Sequence, residues 1–425
     1  MVSLVIRYDT SVINLFVAGE RWKFHRTTMR PFFNKAHISD FDNFERHAVS
    51  TISQIKAWLR EGYPINFQDV YLFGNDVNSI AAGLPYPAGL PMARSLHFIN
   101  HPSNYFVKVF VKAQEKIVIR MQKGPSWPLS ELWADEVQPL REVINGFVQP
   151  MLSEVLERKA KGGTSVGSDK DLESMSLLDR LVQDVDGRCI CQLQIIIQPD
   201  RNSADPKTSS LLTFAVYMMC EHPDMVAQLR SEILEKVGTG RPTYDDIREM
   251  KYLRAFLNET LCLYPTVSLR VATTLPNKGR TPYYIPRNTR VVYSMFLMHR
   301  RTDLWGPDAL KFDPDRFLDS RMHKYLTSNP FIFAPFNTGP RICLGQQFAY
   351  NEASYYLVRL LQTFASFSLA RDAQPPEGVP PKSWTRTPGT TKGMEKIMLG
   401  IHVTMYAKAG LWVRMEEARE EASTL

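Results

Sequence analysis

The sequence runs to 425 residues, 44% hydrophobic and 22% charged, the composition of a globular chain with enough apolar material for a large core. Its formal charge of +7 suits an acidic protein partner or an anionic membrane surface; with no Lys/Arg block interleaved with aromatics and no zinc-finger spacing, nucleic acid is not expected as a partner. Five cysteines, at 189, 191, 220, 262 and 343, are too few and too irregular for a disulfide framework and point to a reducing, cytosol-facing setting.

In chain order, residues 19–30 are aromatic and basic and lead into Pro31-Phe32-Phe33. Apolar residues at helical spacing (Phe41, Phe44, Ala48, Ile52, Ile55, Leu59) predict a helix over 38–59, stopped by Gly62 and Pro64. A second helix is expected over 66–82, ended by Gly83, Pro85 and Pro87. Residues 131–161 form a long amphipathic pattern that Pro139 and Pro150 should break or kink. Residues 162–171 read as a polar loop, and Cys189-x-Cys191 lacks the second ligand pair a metal site needs. Helices follow over 211–220, 223–237 and 245–263, with Pro223 in a first turn and Pro265 as a stop. Residues 281–296 alternate and suggest a hairpin of short strands; 347–365 reads as helix and 401–413 as a β-hairpin. No signal-peptide pattern is visible, and no apolar run approaches the roughly 18–20 residues of a membrane span. The class is mainly α with minor β, in a single domain over 1–425.

One segment carries chemistry: Phe336-Asn-Thr-Gly339-Pro-Arg341-Ile-Cys343-Leu-Gly345, followed at once by a helix. A cysteine there can give its thiolate to a haem iron, because the new helix aims backbone N–H groups and its positive dipole end at the sulfur. Gly339 and Gly345 let the backbone turn sharply against a flat porphyrin, Arg341 is placed for a haem propionate, and Phe336 would keep water from the sulfur. A buried cysteine ahead of a helix is the plainer reading, and five specified positions in ten residues weigh against it.

The segment is similar to the cysteine-ligand signature of the cytochrome P-450 family, and other landmarks of that family recur in order. Trp22-Lys-Phe-His-Arg26 resembles its Trp-x-x-x-Arg, whose two side chains share a helix face and reach a propionate; standing alone, such a pair is an ordinary packing contact. Phe312-Asp-Pro314-Asp315-Arg316-Phe317 resembles Pro-x-Arg-Phe, preceded by His299-Arg-Arg-Thr-Asp303-Leu-Trp305. Arg270 resembles a further propionate contact. Residues 329–335 and 346–352 look like those of fungal microsomal members that hydroxylate alkanes and fatty acids. The resemblance implies the cytochrome P-450 fold around a buried haem b with Cys343 as axial ligand. It implies insertion of one oxygen atom from O2 into a C–H bond of a small apolar substrate, with NADPH electrons arriving through a separate NADPH-cytochrome reductase. It also implies association of the complete protein with the cytosolic face of the endoplasmic reticulum membrane.

Three departures from the family pattern stand out. The chain is expected to lack the N-terminal anchor and first strands, on the order of a hundred residues in the family. The family's Glu-x-x-Arg, a buried ion-pair network with the arginine of Pro-x-Arg-Phe, reads Glu259-Thr-Leu-Cys262; Glu259 and Arg316 can still pair, but losing one cation should cost about 3–5 kcal/mol. Residues 189–207 form an aberrant segment where the family has its oxygen-side helix. By register Pro206 and Lys207 replace the acid and the threonine, and Asp205 and Thr208 are the nearby substitutes, while Pro199 and Pro206 should each cost roughly 3 kcal/mol within a helix. Two readings stay open: an active monooxygenase, or an impaired or incomplete relative with weak or no haem binding.

Overall fold

The computed structural model describes residues 22–23, 26–27, 30–33, 41–69, 102–160, 206–273, 286, 289–386 and 391–418. The helices used below are α1 (Phe41–Arg60), α2 (Pro102–Lys123), α3 (Gln138–Ala160), α4 (Pro206–Glu221), α5 (Pro223–Lys236), α6 (Tyr244–Glu249), α7 (Lys251–Leu263) and α8 (Gln346–Thr363). The strands are β1 (Ile65–Asn66), β2 (Leu269–Thr273), β3 (Arg290–Ser294), β4 (Phe364–Leu369), β5 (Leu399–Ile401), β6 (Met405–Ala407) and β7 (Trp412–Glu417). Two compact units result: one holds 1–37, 76–84 and 91–205, the other 38–75, 85–90 and 206–425.

In the first unit α2 and α3 pack through Val109, Ala113 and Ile144, with Phe106 stacked on Phe147 at 4.4 Å between ring centres. No helical expectation from the sequence covers α2. It also began the next helix too early: α3 starts at Gln138, which puts Pro139 in its first turn, where a missing N–H costs nothing. Pro150 lies inside α3 without ending it. Between the helices, Arg120 holds the connection together. Its Nε donates to Glu131 Oε1 (2.9 Å), it also pairs with Asp135, and its guanidinium stacks 4.2 Å over Trp127.

The second unit is built on α4, α7 and α8. α1 turns Phe41, Phe44, Ala48, Ile52, Ile55 and Trp58 inward, the stripe closing on Trp58 rather than Leu59. Gly62, at φ +81°, lets Tyr63 N–H reach back to Trp58 O (3.1 Å) and end the helix. The expected helix over 66–82 is corrected at its start, because Asn66 lies in β1 and pairs with Trp412; residues 70–82 lie outside the described residues. α4 buries nearly every side chain from Leu211 to Met219. Pro206 is its first residue, so the penalty expected for a proline in a helix interior does not apply. Pro199, Asp205 and the rest of 189–205 lie outside the described residues.

The predicted helix over 245–263 divides at Met250, whose backbone (φ −76°, ψ 85°) is not helical. Thr243 and Asp246 close a capping box on α6, while Glu232 of α5 accepts from Tyr252 N–H and Leu253 N–H (2.9 Å each) and so caps α7 from another helix. Two strand expectations are also corrected. β3 pairs antiparallel with β2, Val271 opposite Val292, so its partner lies at 269–273 and not within 281–296. The hairpin expected over 401–413 belongs to two sheets: β6 pairs with β5, whereas β7 is the central strand of β1-β7-β4. Gly410 (φ +86°) makes the crossing between them, and a Cβ there would stand 2.3 Å from Asn66 Nδ2. α8 gives way to β4 at Phe364.

Candidate functional site

Cys343 sits two residues ahead of Gly345, the N-cap of α8, and is half-buried. Its N–H donates to Phe336 O (3.0 Å) and closes a loop that reverses the chain through two left-handed residues, Asn337 (φ 67°) and Gly339 (φ 71°). Asn337 is steadied on both sides: its N–H donates to Ala334 O (3.0 Å), and Tyr293 Oη donates to its Oδ1 (3.1 Å). The N-cap Gly345 has no side chain to cap α8, so the start of the helix opens toward the Cys343 loop. Beneath the loop, Phe336 packs on Tyr350 (5.1 Å between ring centres). Tyr350 donates to Asn258 Oδ1 (2.7 Å) and carries the Arg254 guanidinium 3.4 Å over its ring. Burial pulls the Arg254 pKa below its usual value.

Phe336, Gly339, Arg341, Cys343 and Gly345 thus share one short loop, with Arg341 and Ile342 exposed and nothing within 4 Å of the place a Gly339 Cβ would take. A thiol before an uncapped helix, beside an open glycine and an exposed isoleucine, fits a flat apolar group with a thiophilic metal at its centre. Among the described residues no cluster of His, Cys, Asp and Glu offers a competing metal site.

Trp22 and Arg26 lie in the first unit, with Arg26 Cζ 5.8 Å from the centre of the Trp22 ring. Arg270 lies in β2 opposite Tyr293, and its side chain is outside the described ones. Thr208 lies in the first turn of α4, 1% exposed, and its Oγ1 has no hydrogen-bond partner. Its neighbours are spoken for: Ser210 donates to Met405 O (2.6 Å), and Thr213 donates to Ser209 O (2.8 Å).

Glu259 and Arg316 are fully buried and meet at 3.1 Å. Glu259 Oε1 also accepts from Asp313 N–H (3.0 Å), and Arg316 Nη2 donates to Asp308 O and Lys311 O (2.9 Å each). Burial pushes the Glu259 carboxyl up to about 8 against the pull of Arg316. Cys262 stands where the arginine is missing and fills an apolar cluster with Ala255, Trp305, Ala309, Phe317 and Ile332, while Trp305 Nε1 and Glu259 Oε2 are buried there without a hydrogen-bond partner. Around it stand the buried His299 and the half-buried Arg300, to which the sequence alone assigns no role. His299 Nδ1 stands 3.1 Å from Cys262 O, and its Nε2 accepts from Ala334 N–H (3.2 Å). Arg300 stacks 3.6 Å over Phe296. Both residues stand in a segment quoted as a family landmark, but contacts this far apart in sequence leave no local pattern.

The family model for cytochrome P-450 matches residues 207–392. The cytochrome P-450 monooxygenase himC of Aspergillus japonicus is 30% identical over 377 residues, covering 85% of this chain and 64% of that protein. Cytochrome P-450 52E1 of Candida apicola is 30% identical over 379 residues, 82% of this chain and 68% of its own length. Cytochrome P-450 52A6 of Candida tropicalis is 29% identical over 429 residues, 93% and 73% respectively. The chain therefore spans about two thirds of the length of the curated relatives it matches.

Proposed function

The chain belongs to the cytochrome P-450 family, and from that membership we propose that it is a haem-thiolate monooxygenase acting on a fatty acid, an alkane or a similar apolar molecule. It would insert one oxygen atom from O2, using NADPH electrons delivered by a separate reductase. The observation that carries the reading is the half-buried Cys343 thiol standing before the uncapped N-terminus of α8.

Haem b supplies, when bound, the dioxygen chemistry that no side chain provides. Cys343 would hold the iron as thiolate, and the first N–H groups of α8 would spread the sulfur's charge. Phe336, locked against Tyr350, excludes water from the sulfur side. Gly339 leaves the face open, and Gly345 keeps any side chain from the start of α8. Arg341, with Arg270, is assigned to the propionates. Thr208 holds a hydroxyl proton at an Oγ1 that nothing in the described chain accepts, which suits a proton donor on the oxygen side, with Asp205 as its source. We take residues 1–425 as a single domain of this kind, working at the cytosolic face of the endoplasmic reticulum. Among the described residues no helix is long and apolar enough to cross a membrane.

The second reading, a relative impaired in haem binding, has one observation in its favour: Glu259 is held by a single cation and burial raises its pKa to about 8. Cys262→Arg separates the two. A marked gain in haem retention supports impairment; unchanged haem content removes the stability argument that Cys262 provides for it. The reading as a whole is tested by the carbon monoxide difference spectrum of the dithionite-reduced protein expressed with a haem precursor. A red-shifted thiolate-type Soret band that Cys343→Ser abolishes is the expected result. Absence of any haem band overturns it.

A further inference from the structure

We propose that His299 is the residue that positions the Cys343 loop, by joining a backbone carbonyl at the end of α7 to a backbone amide at the entry of the loop. A backbone amide can only donate, so the bond from Ala334 N–H makes Nε2 the acceptor and leaves the ring proton on Nδ1, which then donates to Cys262 O at 3.1 Å. The carbonyl of Cys262 belongs to the last turn of α7, where the helix has no further N–H to offer. His299 therefore satisfies one orphan group on each side, through a rigid ring whose donor and acceptor lie on separate edges.

Sequence and packing make this bridge specific. His299 is 0% exposed and is held by Trp305, edge-on at 6.3 Å, and by Phe333 at 5.5 Å between ring centres. The residue is anchored in chain by its backbone N–H, which donates to Met295 O (2.9 Å). From Ala334 the path runs on into the loop: Ala334 O accepts from Asn337 N–H (3.0 Å), and Phe336 O accepts from Cys343 N–H (3.0 Å). Burial pulls the imidazole down to about 4, so the neutral form that both bonds require persists through the physiological range. Cys262 gives the arrangement its point in this chain. With a short thiol in place of a long cationic side chain, its Sγ reaching only to 3.9 Å from His299 O, this turn of α7 holds the 333–336 segment through the histidine.

The proposal rests on the haem-thiolate reading for its spectroscopic arm only. His299→Asn keeps a donor near the Nδ1 position and loses the acceptor for Ala334, His299→Gln restores an acceptor near Nε2, and His299→Phe keeps volume and removes both. Peptide-resolved hydrogen exchange on the full chain is expected to show residues 333–343 exchanging ~10-fold faster in His299→Asn and His299→Phe, with α4 unchanged and His299→Gln closer to wild type. In the haem-loaded protein the same two variants are expected to lose part of the thiolate-type carbon monoxide band at temperatures where the helical signal is intact. Exchange that stays at the wild-type rate across 333–343, or that rises equally in α4, α7 and α8, overturns the proposal, the second by showing ordinary destabilisation. Should the wild-type chain give no thiolate band, the haem reading falls while the exchange pattern still decides the role of His299.

Discussion

Two arginine–carboxylate clusters organise the two units, and they behave in opposite ways. In the first unit Arg120 serves Glu131 and Asp135 at short sequence range, with its guanidinium laid on Trp127. The hydrogen bond from Arg120 is the largest influence on Glu131 and holds its carboxyl below the usual range. In the second unit Arg316 serves Glu259 with the whole core around them, and there burial wins, pushing the carboxyl up to about 8. The same pair of functional groups is a stabilised ion pair where both side chains keep 8% of their surface beside a half-exposed Asp135, and a strained one where they keep 2% and 0%. Desolvation grows with depth faster than one partner can offset it.

The largest expected effect that sharpens this contrast is Arg316→Met. It leaves Glu259 without its countercharge and frees two backbone carbonyls, so chemical denaturation should show a loss of about 3–5 kcal/mol. If the loss is no larger than for a surface pair, the depth argument fails. Next comes the pH dependence of Glu259. Its folded pKa of about 8 lies above its unfolded value, so the folded chain binds the extra proton between the two; that stability is complete below the unfolded pKa and is lost as pH rises through about 8. Glu259→Gln should therefore remove a fall in melting temperature that wild type shows between about pH 4.5 and about pH 8. An equal fall in the variant would assign the titration elsewhere. Arg120→Met should cost less, because one of its two partners, Asp135, is 39% exposed and can turn to solvent, and chemical denaturation of the two variants side by side checks the order. Smallest is Glu131→Gln, and its sign is reversed. Glu131 contributes above its unfolded pKa and loses that contribution as pH falls through its lowered folded value, so the variant should differ from wild type near neutrality and converge with it in acid.

The Cys343 loop could be read from the sequence because everything it needs lies within ten residues: the thiol, the glycines, the aromatic shield and the helix that follows. The Glu259–Arg316 pair was legible only through resemblance, since 57 positions separate the partners. His299 was invisible for the same reason, its two bonds reaching 37 and 35 positions away to backbone atoms that carry no sequence signal. Pro206 was misread because its cost depends on where α4 begins, which no residue around it announces. In α2, the run Tyr105-Phe-Val-Lys-Val-Phe-Val111 has the aromatic and β-branched content of a strand, and only packing against α3 makes it helical. Strand pairing escaped as well. Alternation shows that a segment can enter a sheet and says nothing about which neighbour it meets, so β7 could not be recognised as the partner of both β1 and β4.

That last pairing sets a timetable for synthesis. Ile65 lies opposite Val413, and Phe67 N–H donates to Leu411 O (2.8 Å), so β1 meets its partner only after everything between residues 67 and 411 has been made. At about 5–20 residues per second the wait is roughly 20 to 70 seconds. Through it Ile65 and Phe67, both completely buried in the finished molecule, have no strand to enter. A nascent chain carries that unsatisfied edge until residue 413 is made, and it is there that a chaperone would have to hold it.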